Sequence, residues 1–529
     1  MDQLTLLFVV LLASILSVPV GSRLKLPPPV LMTVFGVVLA VLPFVPDVRI
    51  EPELILPLVL PPLLYAAAQR TSWRQFRTNA RPILLLAVAL VLVTTAVVAA
   101  VFRELVPGVP VAAAVALGAL ISPPDPVAAT AVAGSVGLPR RLVSVLEGEG
   151  LFNDVTALVI YGVAIGAAVT STFSASGALG RLVFSAVVAV AVGWLLGWGS
   201  TRLMGLLGDA TLQVGLSLLV PFAAYVIADQ LGGSGVLAVL ICALHLGEHA
   251  GDEDDVTYRL TGTAFWEVVE LLVTGMAFGL IGLELHTVMV SVDGHWRGML
   301  GDAAAVIAVV VLVRFVWLLP AAWFSRLLSH GRDHGEDEPI TWQETVVMWW
   351  AGMRGVASVA LALAIPRTVD GGGAFPQRDR ILFVAFCTVL FTLLVQGLTL
   401  PLLVRLLGVG ADSAAEERME RELWHRATRA GLARLKELVA EGELPDELVE
   451  RLRRRQRDRL IRALPETYDE SQRAAVRERT AYAQRFREVE REMLSASRRE
   501  MQTARSEPGA DPELVDRVLR SLDLRSARP

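Results

Sequence analysis

Leu146-Glu147-Gly148-Glu149-Gly150-Leu151-Phe152-Asn153-Asp154 runs directly into Val155, Ala157, Leu158, Val159 and Ile160. Three carboxylates and an amide thus enter an apolar stretch with nothing nearby to carry them to water. A charge at that depth of a membrane costs roughly 3 kcal/mol or more, so it is rarely kept without a use. Glu149 and Asn153, four residues apart, share a helix face. Glu147 and Asp154 also fall nearly in line. Asp154 can gain or lose a proton with modest tuning by burial and charge. Asn153 can donate and accept hydrogen bonds but cannot titrate. The stretch reads as a place where a proton and a cation could compete. The competing reading is a buried polar cluster that only holds helices together.

The surrounding chain supports the membrane setting. Of 529 residues, 54% are hydrophobic, and the mean hydropathy is +0.54. Such a composition calls for many spans of about 20 residues each. Candidate spans fall near 4–20, 28–45, 54–69, 82–102, 109–132, 141–171, 179–206, 211–230, 234–249, 263–285, 301–328, 342–365 and 381–406. The expected fold is therefore an all-α polytopic membrane protein of about 13 transmembrane helices. Leu4 to Val20 lacks a basic leader and a small-residue cleavage site, and reads as a first span. Cys242 and Cys387 both lie in apolar runs and suggest neither a disulfide framework nor a metal site.

Charge is segregated. Residues 1–410 form the expected membrane transport domain, and residues 411–529, dense in Arg and Glu, a helical C-terminal tail. The net charge of −5 averages these unlike regions and says little about partners. Basic loops favour a cytoplasmic tail. On that side fall Arg23 and Lys25; Arg70, Arg74, Arg77 and Arg81; Arg140 and Arg141; Arg202; Arg259; and Arg326 with Arg332. The acidic run Asp252–Asp255 falls there too, and acids contribute little to the rule. In the tail, Leu423, Ala427, Leu432, Leu435 and Leu438 recur at helical spacing, as do Leu448, Val449, Leu452 and Leu460. Gly442, Pro445 and Glu507-Pro508-Gly509 interrupt that pattern.

Two further places break the hydrophobic pattern. Ile121-Ser122-Pro123-Pro124-Asp125-Pro126-Val127 carries three prolines in four residues, which no unbroken helix accommodates. The span is expected to be discontinuous, with Asp125 at the break and Ser122 and Pro124 beside it. Exposed carbonyls and half-helix ends are how secondary transporters bind ions at the midplane. Ala351-Gly352-Met353-Arg354-Gly355-Val356-Ala357-Ser358 places a permanent cation inside a late span. Arg354 needs a carboxylate partner, and Glu149 or Glu147 are the best candidates. Gly352 and Gly355 allow close approach or a local break. The chain has no P-loop, Rossmann fingerprint, His-Glu-x-x-His or nucleophile elbow. No enzyme activity, bound cofactor or nucleic-acid partner is expected, and any transport would run on an ion gradient.

Ser122-Pro123-Pro124-Asp125, Leu146 through Asp154, Gly282-Leu283-Glu284-Leu285 and Met353 through Ala357 together resemble the bacterial sodium/proton antiporters related to the eukaryotic sodium/proton exchangers. The likeness covers roughly residues 1–410, and the Glu-Gly-Glu-x-Leu-Phe-Asn-Asp run is its most specific part. It implies two inverted repeats, two crossing discontinuous helices, and core and dimerisation subdomains. It also implies a homodimer in the lipid of a bacterial plasma membrane, working by alternating access. Asp154 would carry the transported sodium or the proton, with Asp125 supporting it. Arg354 would pair with Glu149, Asn153 would cap or gate that cluster, and Glu147 stays unassigned. The Asn153-Asp154 pair resembles members that exchange one cation for one proton, with roles in pH and sodium homeostasis. This chain departs from its relatives at Pro124, where Thr is frequent, at Gly150, where some have Ser, and at Ala66, where many have an acid. With fewer side-chain oxygens, potassium or another monovalent cation stays open as the alternative substrate.

Overall fold

The computed structural model describes residues 3–24, 26–42, 52–70, 83–125, 129, 137–170, 175–249, 256–291, 296–329, 341–410, 413–441, 445–463 and 469–504, with a few positions beyond. The loop arginines Arg74, Arg77, Arg81 and Arg332, the run Asp252–Asp255, and Gly442 and Glu507-Pro508-Gly509 lie outside the described residues. The chain divides into two compact units, Met1–Ala411 and Asp412–Pro529, and each is taken by itself.

The first unit is mainly helical over its described residues, with one isolated bridge among them between Thr368 and Ala374. Its helices are α1 (Gln3–Leu24), α2 (Pro28–Val41), α3 (Pro52–Arg70), α4 (Val91–Leu105), α5 (Val111–Ile121), α6 (Arg140–Thr170) and α7 (Ala175–Leu206). They continue as α8 (Ala210–Gln230), α9 (Gly235–His249), α10 (Val256–Ser291), α11 (Trp296–Ser329), α12 (Trp342–Trp350), α13 (Val356–Leu363), α14 (Arg378–Phe391) and α15 (Gly397–Leu407). A π-helical turn at Leu85–Leu90 leads into α4, and another at Thr392–Gln396 joins α14 to α15. Among the described residues, eight stretches are long and apolar enough to cross a membrane, and α2, α5 and α9 are shorter apolar helices. Large apolar side chains point outward along these helices, among them Phe8, Phe184, Trp194, Trp198 and Val316. Only a hydrocarbon surrounding makes that arrangement favourable, and helices are the form that satisfies their own backbone there. The protein is a multi-pass, all-α membrane protein.

Two spans are interrupted, for different local reasons. Helix α5 ends at Ile121 because Pro123 and Pro124 cannot donate to the next turn, and Ser122 N–H makes the last bond back to Gly118 O at 3.1 Å. Helix α12 starts from a capping box between Thr341 and Glu344 and stops at Trp350. The chain then leaves helical structure through Gly352 to Gly355 before α13 begins. Each broken span is preceded by a long helix, α4 or α11, and followed by another, α6 or α14.

Buried side chains form two clusters. The larger joins α4, α5 and α6 to α11 through α15, together with α2 and α10. The smaller gathers α3, α7, α8 and α9 around Tyr65 and Trp266, whose rings lie 4.6 Å apart. Helices α2 and α10 meet backbone to backbone, since a Cβ on Gly36 would strike the main chain at Gly279 and Gly282. Small residues permit such contact where lipid supplies no hydrophobic push.

The second unit contains α16 (Ser413–Ala440), α17 (Asp446–Ala463) and α18 (Glu470–Ala504). The expected interruption at Pro445 separates α16 from α17. Its small interior includes Leu435, Val449, Ile461 and Val476.

Candidate ion-binding site

The breaks at 122–125 and 351–355 cross and are laced together by backbone groups that no helix uses. Asp125 N–H donates to Met353 O at 2.7 Å. In return, Val356 N–H donates to Asp125 Oδ2 at 3.1 Å, which places that carboxylate at the start of α13. A helix N-terminus with its free N–H groups favours such a negative charge. Gly355 makes the approach possible, because a Cβ there would overlap the Asp125 carboxylate.

Arg354 fastens the crossing from one side. Its Nε donates to Ile121 O at 2.9 Å and one terminal nitrogen donates to Ser122 O at 3.1 Å, while the other reaches Gly352 O. The carbonyls of Ile121 and Ser122 are among those left without partners when α5 ends. The Arg354 N–H in turn donates to Thr392 Oγ1 at 3.0 Å, on the π-helical turn after α14. Arg354 is thus a cap for a broken helix, buried to 3% exposure.

The third element is α6. Glu149 and Asn153, one turn apart as their spacing requires, are both fully buried. Asn153 Nδ2 donates to Pro124 O at 2.9 Å, so the amide ties α6 to the first break. Its Oδ1 is buried with no hydrogen-bond partner among the described residues, as are Ser358 Oγ on α13 and Gln396 Oε1 on the second π-helical turn. Buried acceptors without donors are costly in an apolar interior and suit a hard cation or water. Asp154 follows on α6, half-buried and within electrostatic reach of Asp125. One turn further along, a cavity of 720 Å³ opens against Leu158, Tyr161 and Gly162, with Arg181, Ser185 and Asp229 across it.

The expected pairing of Arg354 with Glu149 is corrected by the geometry. Glu149 is held by Arg314 of α11, whose two terminal nitrogens reach Oε1 at 2.5 Å and Oε2 at 2.9 Å. Arg314 also donates to Met348 O at the end of α12, and Gly352 leaves room for its side chain. The two-pronged guanidinium fits a carboxylate, and the carbonyls of a finished helix suit Arg354, so each arginine takes the acceptors its position offers. Ser122 also differs in detail. Its hydroxyl donates to Ala119 O at 3.1 Å and accepts from Thr95 Oγ1 at 3.3 Å, so only its carbonyl faces the crossing. Pro124 contributes its carbonyl. Glu147 is half-buried, with polar interactions of its own.

Sequence reasoning missed Arg314 and Thr392. For Arg314 the signal was present, since the residue stands between Val311-Leu312-Val313 and Phe315-Val316-Trp317. A permanent cation in such a run needs buried acceptors, just as Arg354 does. For Thr392 no local signal exists, as threonine is ordinary inside a span.

The family model described as sodium/hydrogen exchanger, transmembrane, matches residues 8–406. An uncharacterized Na(+)/H(+) exchanger of Mycobacterium tuberculosis is 35% identical over 88% of this chain and 87% of its own length. The low-affinity Na(+)/H(+) antiporter NhaS1 of Synechocystis is 33% identical over 85% of this chain and 83% of its own. Among solved structures, the sodium proton antiporter MjNhaP1 of Methanocaldococcus jannaschii superposes with a TM-score of 0.59 at 20% identity. It covers 77% of this chain and 98% of that one, and shows a shared fold. The chain belongs to the sodium/hydrogen exchanger family.

Proposed function

We propose that the protein exchanges sodium for protons by letting the two compete for Asp154, with Asp125 and Asn153 completing the site. The observation that carries this reading is the crossing of two broken spans beside Asn153-Asp154. It gathers carboxylate, carbonyl and amide oxygens in one buried place. Those are the ligands a hard monovalent cation takes.

The charges set the coupling. Glu149 is balanced by Arg314, and Asp154 lies within electrostatic reach of Asp125, so counting Arg354 as well, one negative charge remains over these five groups when both aspartates are ionised. One proton or one sodium ion cancels it. A cluster with net charge is expensive to carry through an apolar interior, whereas a neutral one is not. Only the loaded or protonated site then crosses, and exchange is one for one. At higher pH Asp154 loses its proton and binds sodium; at lower pH the proton displaces the ion.

The cavity beyond Leu158 supports an aqueous approach from the C-terminal end of α6. The arginine distribution supports a plasma-membrane protein with residues 411–529 in the cytoplasm. The assembly that goes with this reading is a homodimer with core and dimerisation subdomains.

Everted vesicles carrying a pH dye test the proposal. Adding sodium dequenches the dye for the native protein and not for Asp154→Asn. Native-like exchange by Asp154→Asn would reject the assignment of Asp154. An imposed membrane potential leaves the rate unchanged if exchange is one for one. Repeating the titration with lithium and potassium ranks the cations.

A further inference from the structure

The second unit carries an apolar seam that its helices, among the described residues, do not cover. On α18, Tyr482, Phe486, Val489 and Met493 are 76, 59, 43 and 66% exposed. Their steps of four, three and four residues are those of a coiled-coil interface. Helix α17 packs only near the start of α18, where Val476 is buried and Arg479 reaches Asp458 at 3.2 Å. From residue 481 to residue 493 every position is exposed. A helix without a packed face is marginal in water, so this stretch calls for a partner.

Charge selects the kind of partner. Between Arg485 and Glu492, Arg485, Arg487 and Arg491 alternate with Glu488, Glu490 and Glu492. A helix that lies on a lipid surface carries an excess of Lys and Arg on its polar face. Interleaved charges of both signs beside an apolar seam suit a second helix instead. The seam also complements itself. With Tyr482 and Val489 at d and Phe486 and Met493 at a, Arg485 occupies g and Glu490 occupies e. In a parallel, in-register pair, the g residue of one helix faces the following e residue of the other.

We propose that α18 pairs in parallel with α18 of a second copy of this chain, seam against seam, with Arg485 facing the partner's Glu490 on both flanks. Two copies inserted the same way in one bilayer send their tails out on the same side, which favours the parallel arrangement. Tethering to the membrane raises the local concentration enough for a short seam to associate. The present Arg485–Glu488 contact at 3.0 Å is solvent-exposed and gives way easily.

Cysteine crosslinking of the full chain in its membrane tests the pairing. The native cysteines lie in the first unit, Cys242 buried and Cys387 half-buried. Val489→Cys puts thiols at a d position, where paired chains bring Cβ atoms within disulfide range. Arg491→Cys puts them on the outer face. The expected result is a crosslinked dimer from Val489→Cys and none from Arg491→Cys. Glu490→Arg causes loss of the crosslink, and Arg485→Glu added to Glu490→Arg restores it. Equal crosslinking at 489 and 491 means random collision and overturns the proposal. So does absence of crosslinking at 489, whether its thiol stays open to a soluble reagent or is shielded by lipid or by the first unit.

Discussion

Val356 N–H donates to Asp125 Oδ2 at 3.1 Å, joining the start of α13 to a carboxylate that lies 231 residues earlier in the chain. The contact exists because Gly355 has no side chain. One missing methyl group therefore allows a charged residue of one broken span to sit at the head of the helix that follows the other.

Replacing Gly355 by alanine drives a Cβ into that carboxylate. Gly355→Ala is expected to lower exchange at least about tenfold, since displacing a reacting group by an ångström costs on the order of 100-fold in enzymes. Gly208→Ala, where nothing lies within 4 Å of the added atom, is the control. Dye dequenching in vesicles with matched protein levels gives the comparison.

Glu149 and Arg314 should behave as a unit in stability measurements. Removing one partner leaves a buried charge, which costs about 3–5 kcal/mol, whereas neutralising both costs much less. Thermal unfolding of the detergent-solubilised protein should show a large loss for Arg314→Met. Adding Glu149→Gln should recover part of it. If the two losses simply add, the pair is not coupled.

Asn153→Ala frees Pro124 O and deletes the unpaired Oδ1 from the site. A lost ligand oxygen is worth about 1–3 kcal/mol, so the half-saturating sodium concentration should rise about tenfold or more while the protein still folds. A change confined to maximal rate would instead place Asn153 in the crossing step.

Outside the spans, Asp209 caps α8 by accepting from Thr211 N–H at 2.7 Å and Leu212 N–H at 3.2 Å. Those donors favour the ionised carboxylate and hold its pKa below the ordinary 3.8. A group depressed in the folded state stabilises above its ordinary range, and that contribution is lost as pH falls through the folded value. Asp209→Ala should therefore unfold at a lower temperature than the native protein near neutral pH. The difference should close in strong acid.

Most of the fold was legible in the chain because its causes are local. Apolar run length set the spans, the prolines after Ser122 broke one of them, and Pro445 divided the tail. The helical spacing of Glu149 and Asn153 likewise put both on one buried face of α6. Gly282 had a motif but no reason until α2 was seen against α10.

Pairings between distant segments were a different matter. Sequence alone determined that Arg354 is a cation in an apolar run that needs acceptors, and that Asp125 and Asp154 interrupt apolar runs. Only the tertiary structure decided that Arg354 takes the carbonyls of Ile121 and Ser122 while Glu149 takes Arg314, 165 residues away. The physical reason is that a buried charge accepts any partner of the right polarity. Composition shows that a partner is needed, and packing alone chooses among several within reach.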